Sequence, residues 1–115
     1  MPFLQLVTAH PVPAPLAESL AGAFGRALGL PAGAVIVQRI ASGHDPEVPA
    51  GSTEPVVDAG AVIVVRGRLR EAAAMREAVA RAGTLLAEGL GLDPDLVLVS
   101  WPDPGAVATG RGALP

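Results

Sequence analysis

The sequence predicts an α+β fold: two β-α-β units forming a four-stranded mixed sheet, with two helices covering one face. Three observations predict it. Short apolar runs of strand length alternate with two longer segments whose apolar residues recur at helical spacing. That order occurs twice along 115 residues. Half of the chain is hydrophobic but only 3% is aromatic, so the core must be built from Val/Leu/Ile strands and Ala/Leu helices.

The first strand is expected over Phe3–Val7, bounded by the proline-rich turn His10-Pro11-Val12-Pro13. From about Pro15 to Leu28, the residues Leu16, Leu20, Phe24 and Leu28 mark one face of a helix, which Gly29 and Pro31 end. Ala34 to Ile40 is the second strand, followed by a polar, Pro/Gly-rich connection from about Ser42 to Pro55. Ala61 to Val65 is the third strand. Glu71 to Leu90 is a second helix, with Met75, Val79, Ala82, Leu86 and Leu90 along one face, and Leu96 to Trp101 is the fourth strand. The halves correspond in letters too: Gly29-Leu30-Pro31 precedes Ala34-Val35-Ile36-Val37 as Gly91-Leu92-Asp93-Pro94 precedes Leu96-Val97-Leu98-Val99, which aligns Gln38 with Ser100. We therefore expect one domain over residues 1–115, with pseudo-repeats at about 2–40 and 61–101. Strands this apolar imply that the uncovered sheet face is buried as well, most simply by other copies of the chain. After Trp101, a short edge strand around Ala106–Ala108 fits the glycine- and proline-rich end, reaching toward a neighbouring subunit.

Composition excludes several functions. No basic face accompanies the net charge of −3, so nucleic acid is not an expected partner. The longest apolar runs are too short to span a bilayer and no signal peptide is visible, so a cytoplasmic protein without a membrane partner is expected. All eight cations are arginine, and lysine, cysteine and tyrosine are absent. This removes Schiff-base lysine, thiolate and phenol chemistry from the side chains. His10 and His44 have no metal-type spacing around them, and no metal or cofactor is expected. A reactive amine can come only from the N-terminus. Removal of Met1 before the small Pro2 would leave a secondary amine held by its own ring.

The Met1-Pro2-Phe3 start, Gly51-Ser52-Thr53-Glu54-Pro55, Arg66-Gly67-Arg68 and Pro94-Asp95-Leu96-Val97 occur in an order and spacing that resemble the tautomerase superfamily. The likeness covers essentially the whole chain and is nearest to the macrophage migration inhibitory factor (MIF) and D-dopachrome tautomerase branch. It implies a homotrimer whose three sheets form an inner barrel, with active sites between subunits and the N-terminal proline at the base of each. It also implies cofactor-independent proton transfer on a small anionic substrate, a 2-oxo or enol carboxylic acid, with Pro2 as catalytic base and acid. Some relatives instead hydrate, dehalogenate or decarboxylate unsaturated or 3-oxo acids, and a non-catalytic trimeric binding protein is a further alternative.

Arg66 falls where the resemblance places the pocket lining, so it is the favoured carboxylate holder; a guanidinium grips a carboxylate as a fork. Backbone N–H groups around Val65 and Arg66 are candidates to hold an enolate oxygen. Arg68 and Arg70 share a side with Arg66 if the strand continues that far; a solvated edge pairing with Glu71 is the plainer reading. The sequence departs from this branch at several pocket positions. Its lysine aligns with Leu30, its fourth-strand tyrosine and asparagine with Leu98 and Ser100, and its late tryptophan near Arg111. Arg66 and Arg111 are the candidate replacements for the lysine, and Ser100 offers one hydroxyl, unless it is a strand serine bonded to backbone. His44, Asp45 and Glu47 are loop candidates with solvation as the plain reading, Glu54 is expected to order its turn, and Trp101 to pack in the core or an interface.

Overall fold

A computed structural model describes residues 2–41, 60–102, 108–109 and 112–113. Strands β1 (Phe3–Thr8), β2 (Ile36–Ala41), β3 (Ala61–Arg66) and β4 (Val97–Ser100) form one sheet in the order β2-β1-β3-β4. Helices α1 (Ala14–Ala27) and α2 (Ala72–Leu90) connect β1 to β2 and β3 to β4. Both connected pairs are parallel, and the central β1–β3 pair is antiparallel. This is the predicted mixed sheet of two β-α-β units.

Alternation along the strands separates the two faces. Leu4, Leu6 and Thr8 of β1 and Ala61, Ile63 and Val65 of β3 are buried, packed with Leu20, Phe24, Ala78, Ala82 and Leu86 of the helices. The alternate positions carry a largely apolar open face, on which Ile36, Ile40 and Leu98 are 38%, 41% and 61% exposed. In register, Gln5 pairs with Gln38 on one side and Val64 on the other, and Val64 pairs with Ser100. Corresponding residues of the two halves thus meet at the middle of the sheet.

Both helices stop in the same way. Gly29 (φ 70°) and Gly91 (φ 66°) turn the chain into the left-handed region, where a Cβ is strained. The next amides, Leu30 and Leu92, then donate back to the carbonyls of Gly25 (2.8 Å) and Ala87 (2.9 Å). The Gly-Leu pair shared by the two halves is therefore a helix stop followed by a strand. Small residues set the packing elsewhere: a Cβ on Gly89 would stand 2.5 Å from Cδ1 of Leu16, so a larger residue there requires the Leu16 side chain to move.

The element ends differ from expectation for local reasons. β2 begins at Ile36 rather than Ala34, because Gly33 (φ 81°) and a bond from Ala34 N–H to the Pro31 carbonyl (3.2 Å) still form a turn there. β4 begins at Val97, after a 3-10 turn over Pro94–Leu96 whose Asp95 amide donates to the Asp93 carboxylate (3.0 Å). Near the C-terminus Ala108–Thr109 pairs antiparallel with Gly112–Ala113 of the same chain, which occupies one edge of this strand. Among the described residues no helix is long and apolar enough to cross a membrane.

Glu71 is not an ion-pair partner for the arginines but the cap of α2, accepting from the amides of Ala73 (3.1 Å) and Ala74 (3.0 Å). Those two bonds hold its carboxyl below the usual glutamate value. A depressed folded-state pKa gives stability that is present above the unfolded value and is lost as pH falls through the folded one. Wild type should therefore melt above Glu71→Gln at neutral pH, and the difference in Tm should close as the solution is acidified below the carboxylate range. A gap independent of pH would show that the charge contributes nothing.

Candidate active site

Pro2 lies just before β1, on the buried side with Leu4, and its ring is fully enclosed. Its carbonyl accepts from the Ile36 amide at 3.1 Å, which fixes the start of β1 against β2. Across the antiparallel pair lies Gly67, the residue after β3, whose missing Cβ would stand 3.4 Å from Pro2 Cα and 3.9 Å from Cζ2 of Trp101. Trp101 follows β4 on the same side and packs on Phe24, ring centroids 5.6 Å apart and tilted by 33°. Pro2, Gly67, Trp101 and Phe24 thus form one apolar cluster at the end of the sheet.

Arg66 ends β3 opposite Phe3, on the open face, where its Nε donates to Oε1 of Gln5 at 3.2 Å. Ser100 is half-buried on that same face, opposite Val64. Within one protomer the sheet therefore separates Pro2 from Arg66 and Ser100. β3 stops at Arg66 and Gly67 bends the chain, so Arg68 and Arg70 do not continue a strand. Arg68 is exposed, while Arg70 is half-buried with its amide donating to Sδ of Met75 at 3.3 Å. Arg111, His44, Asp45, Glu47, Glu54 and the Gly51–Pro55 motif lie outside the described residues.

Two members of the cluster received no site role from the sequence. Gly67 entered only as part of a motif and Trp101 only as packing. The signal for Trp101 was its parity: one residue beyond the open-face Ser100, it must turn to the side that holds Leu4 and Pro2.

No protein family and no curated protein is matched by the sequence itself. Solved structures are matched by the fold. MIF2 of Leishmania major superposes with a TM-score of 0.68 at 19% identity, over 99% of this chain and 97% of that one. Pt0534, in a structure of the protein inactivated by 2-oxo-3-pentynoate, gives 0.65 at 20% identity, over 96% and 93%. A fused 4-OT in a symmetric trimer gives 0.66 at 19% identity, over 96% and 93%. The chain has the fold of the tautomerase superfamily, with MIF-type proteins among its structural neighbours.

Proposed function

We propose that this protein is a cofactor-independent tautomerase or isomerase of small 2-oxo or enol carboxylic acids, acting as a homotrimer through the Pro2 amine left by removal of Met1. The observation that carries the reading is the fully buried Pro2 at the start of β1 in this fold. A secondary amine in an apolar niche titrates closer to neutrality than an exposed one. It can take a proton from the carbon beside a carbonyl and return it at another position. Arg66 and Ser100 join such a site from a neighbouring subunit, since within one subunit they are on the other side of the sheet from Pro2. Arg66 then holds the substrate carboxylate, Ser100 offers a hydroxyl, and Arg111 is a second candidate for the anion. The apolar open face supports that assembly, because isolated soluble proteins rarely leave such a surface in water.

The arginine-only cation set favours one second reading. In it Pro2 stays protonated and acts as the acid of a hydratase, dehalogenase or decarboxylase, while arginine holds the substrate carboxylate, whose negative charge offsets the effect of the cations on the amine. A trimeric binding protein without turnover is the remaining alternative to both.

The test uses protein whose intact mass shows Met1 to be absent. A conjugated ynone, 2-oxo-3-pentynoate, adds an amine at its alkyne carbon. Incubation at neutral pH should place one adduct on the peptide that starts at Pro2, and ketonisation of simple enol acids should be lost in step with it. An unlabelled Pro2 in protein that still turns over would overturn the reading.

A further inference from the structure

Trp101 holds a hydrogen-bond donor that is buried. Its Nε1 is closed off from solvent and has no partner among the described residues. An indole nitrogen can only donate, and an unpaired donor in apolar surroundings costs free energy, so such groups are rare unless something fills them. The orientation of the ring matters here. One face packs against Phe24. The atom that approaches the Gly67 niche is Cζ2, which is bonded to the carbon that carries Nε1. The side of the indole that lies beside Gly67 and Pro2 is thus two bonds from the N–H. Gly67 keeps that space open, since any Cβ there would touch both Pro2 and Trp101.

We propose that Trp101 is a substrate-binding residue of the Pro2 site, its indole N–H donating to an oxygen of the small 2-oxo or enol acid whose carbon meets the Pro2 nitrogen. The proposal rests on the reading of Pro2 given above and names a donor for it. Trp101 selects for acceptors, which a carbonyl, enolate or carboxylate oxygen supplies and an ammonium or an alkyl group does not. A neutral donor also leaves the amine free to titrate, where a lysine in its place would repel the protonated form. In a chain without lysine or tyrosine, Trp101 brings to the niche a buried donor without a partner among the described residues.

Trp101 is the sole tryptophan, so an amide correlation spectrum of 15N-labelled protein contains a single indole cross-peak. Titration of Met1-free protein with pyruvate should move that peak downfield and saturably, in wild type and in Pro2→Ala alike. Trp101→Phe keeps a ring on Phe24 but removes the donor. It should raise KM for an enol acid about 10-fold with kcat changed by no more than about twofold, the pattern of a lost bond that forms equally in ground and transition states. A cross-peak that stays in place across the whole titration overturns the proposal without requiring any variant to fold. An unchanged KM in folded Trp101→Phe does the same. Equal turnover by wild type and Pro2→Ala would instead sink the role of Pro2, and the indole shift would still decide the role of Trp101.

Discussion

Replacing Pro2 by alanine in the Met1-free protein should lower kcat/KM for ketonisation of an enol acid by about 10²- to 10⁴-fold, the usual contribution of a positioned acid or base. Alanine leaves a primary amine at the same chain position, so some activity should survive. It loses the ring, which is fully buried and holds the nitrogen in one direction. The carbonyl bond from residue 2 to the Ile36 amide involves only backbone and is kept, so the sheet should form normally and the circular dichroism spectrum should not change. The pH profile separates the two enzyme readings. With Pro2 as base, kcat/KM falls as the solution is acidified through the amine pKa; with Pro2 as acid, it falls on the alkaline side. A variant as active as wild type would remove Pro2 from the chemistry altogether.

Phe24→Ala should be the most damaging single change to stability, costing about 3–5 kcal/mol in urea unfolding. Phe24 is fully enclosed in the main core, in one cluster with Leu4, Leu6, Ile63 and Val65 of the sheet and with its ring beside that of Trp101. Its loss leaves a cavity that strands pinned by three ladders cannot collapse to fill. It also removes the support that sets the indole edge, so Trp101 emission should shift toward that of solvated tryptophan even where the protein remains folded. Phe24→Leu, which keeps most of the volume, should cost about 1–1.5 kcal/mol. A loss that small for Phe24→Ala would mean the site relaxes freely and the packing described here is loose.

The fold was legible in the sequence because its signals are periodic and repeated. The four strands and two helices follow from alternation and helical spacing, and the paired Gly-Leu stops marked where each helix ends. Boundaries missed by one or two residues where a turn competes with a strand, at Pro31–Gly33 and at Pro94–Leu96. The site was less legible. Pro2 was singled out by elimination of other amines and by resemblance, which do not require geometry. Arg66 and Ser100 were grouped with it by the resemblance, which implies a pocket between subunits and does not say which side of its own sheet each residue takes. Register decides that, and it puts them on the opposite face. Trp101 was read as core because packing and hydrogen bonding are separate properties of one side chain, and only coordinates show a buried N–H without an acceptor.

The meeting of Gln5 with Val64 at mid-sheet amounts to a pseudo-dyad, and it carries a stoichiometric consequence. Rotation about it takes β1 onto β3, so Leu4 falls on Ile63 and Pro2 on Ala61, while Gly67 exchanges with Thr8. The position that mirrors Pro2 is thus also buried beside a strand partner, with the same backbone path. Its nitrogen, however, is an amide to Gly60, and the niche opposite is filled by a threonine whose hydroxyl donates to the Gly60 carbonyl at 3.1 Å. Of two geometrically equivalent ends, one is sealed by the polypeptide itself, so each chain can offer at most one titrating amine from this pair of positions.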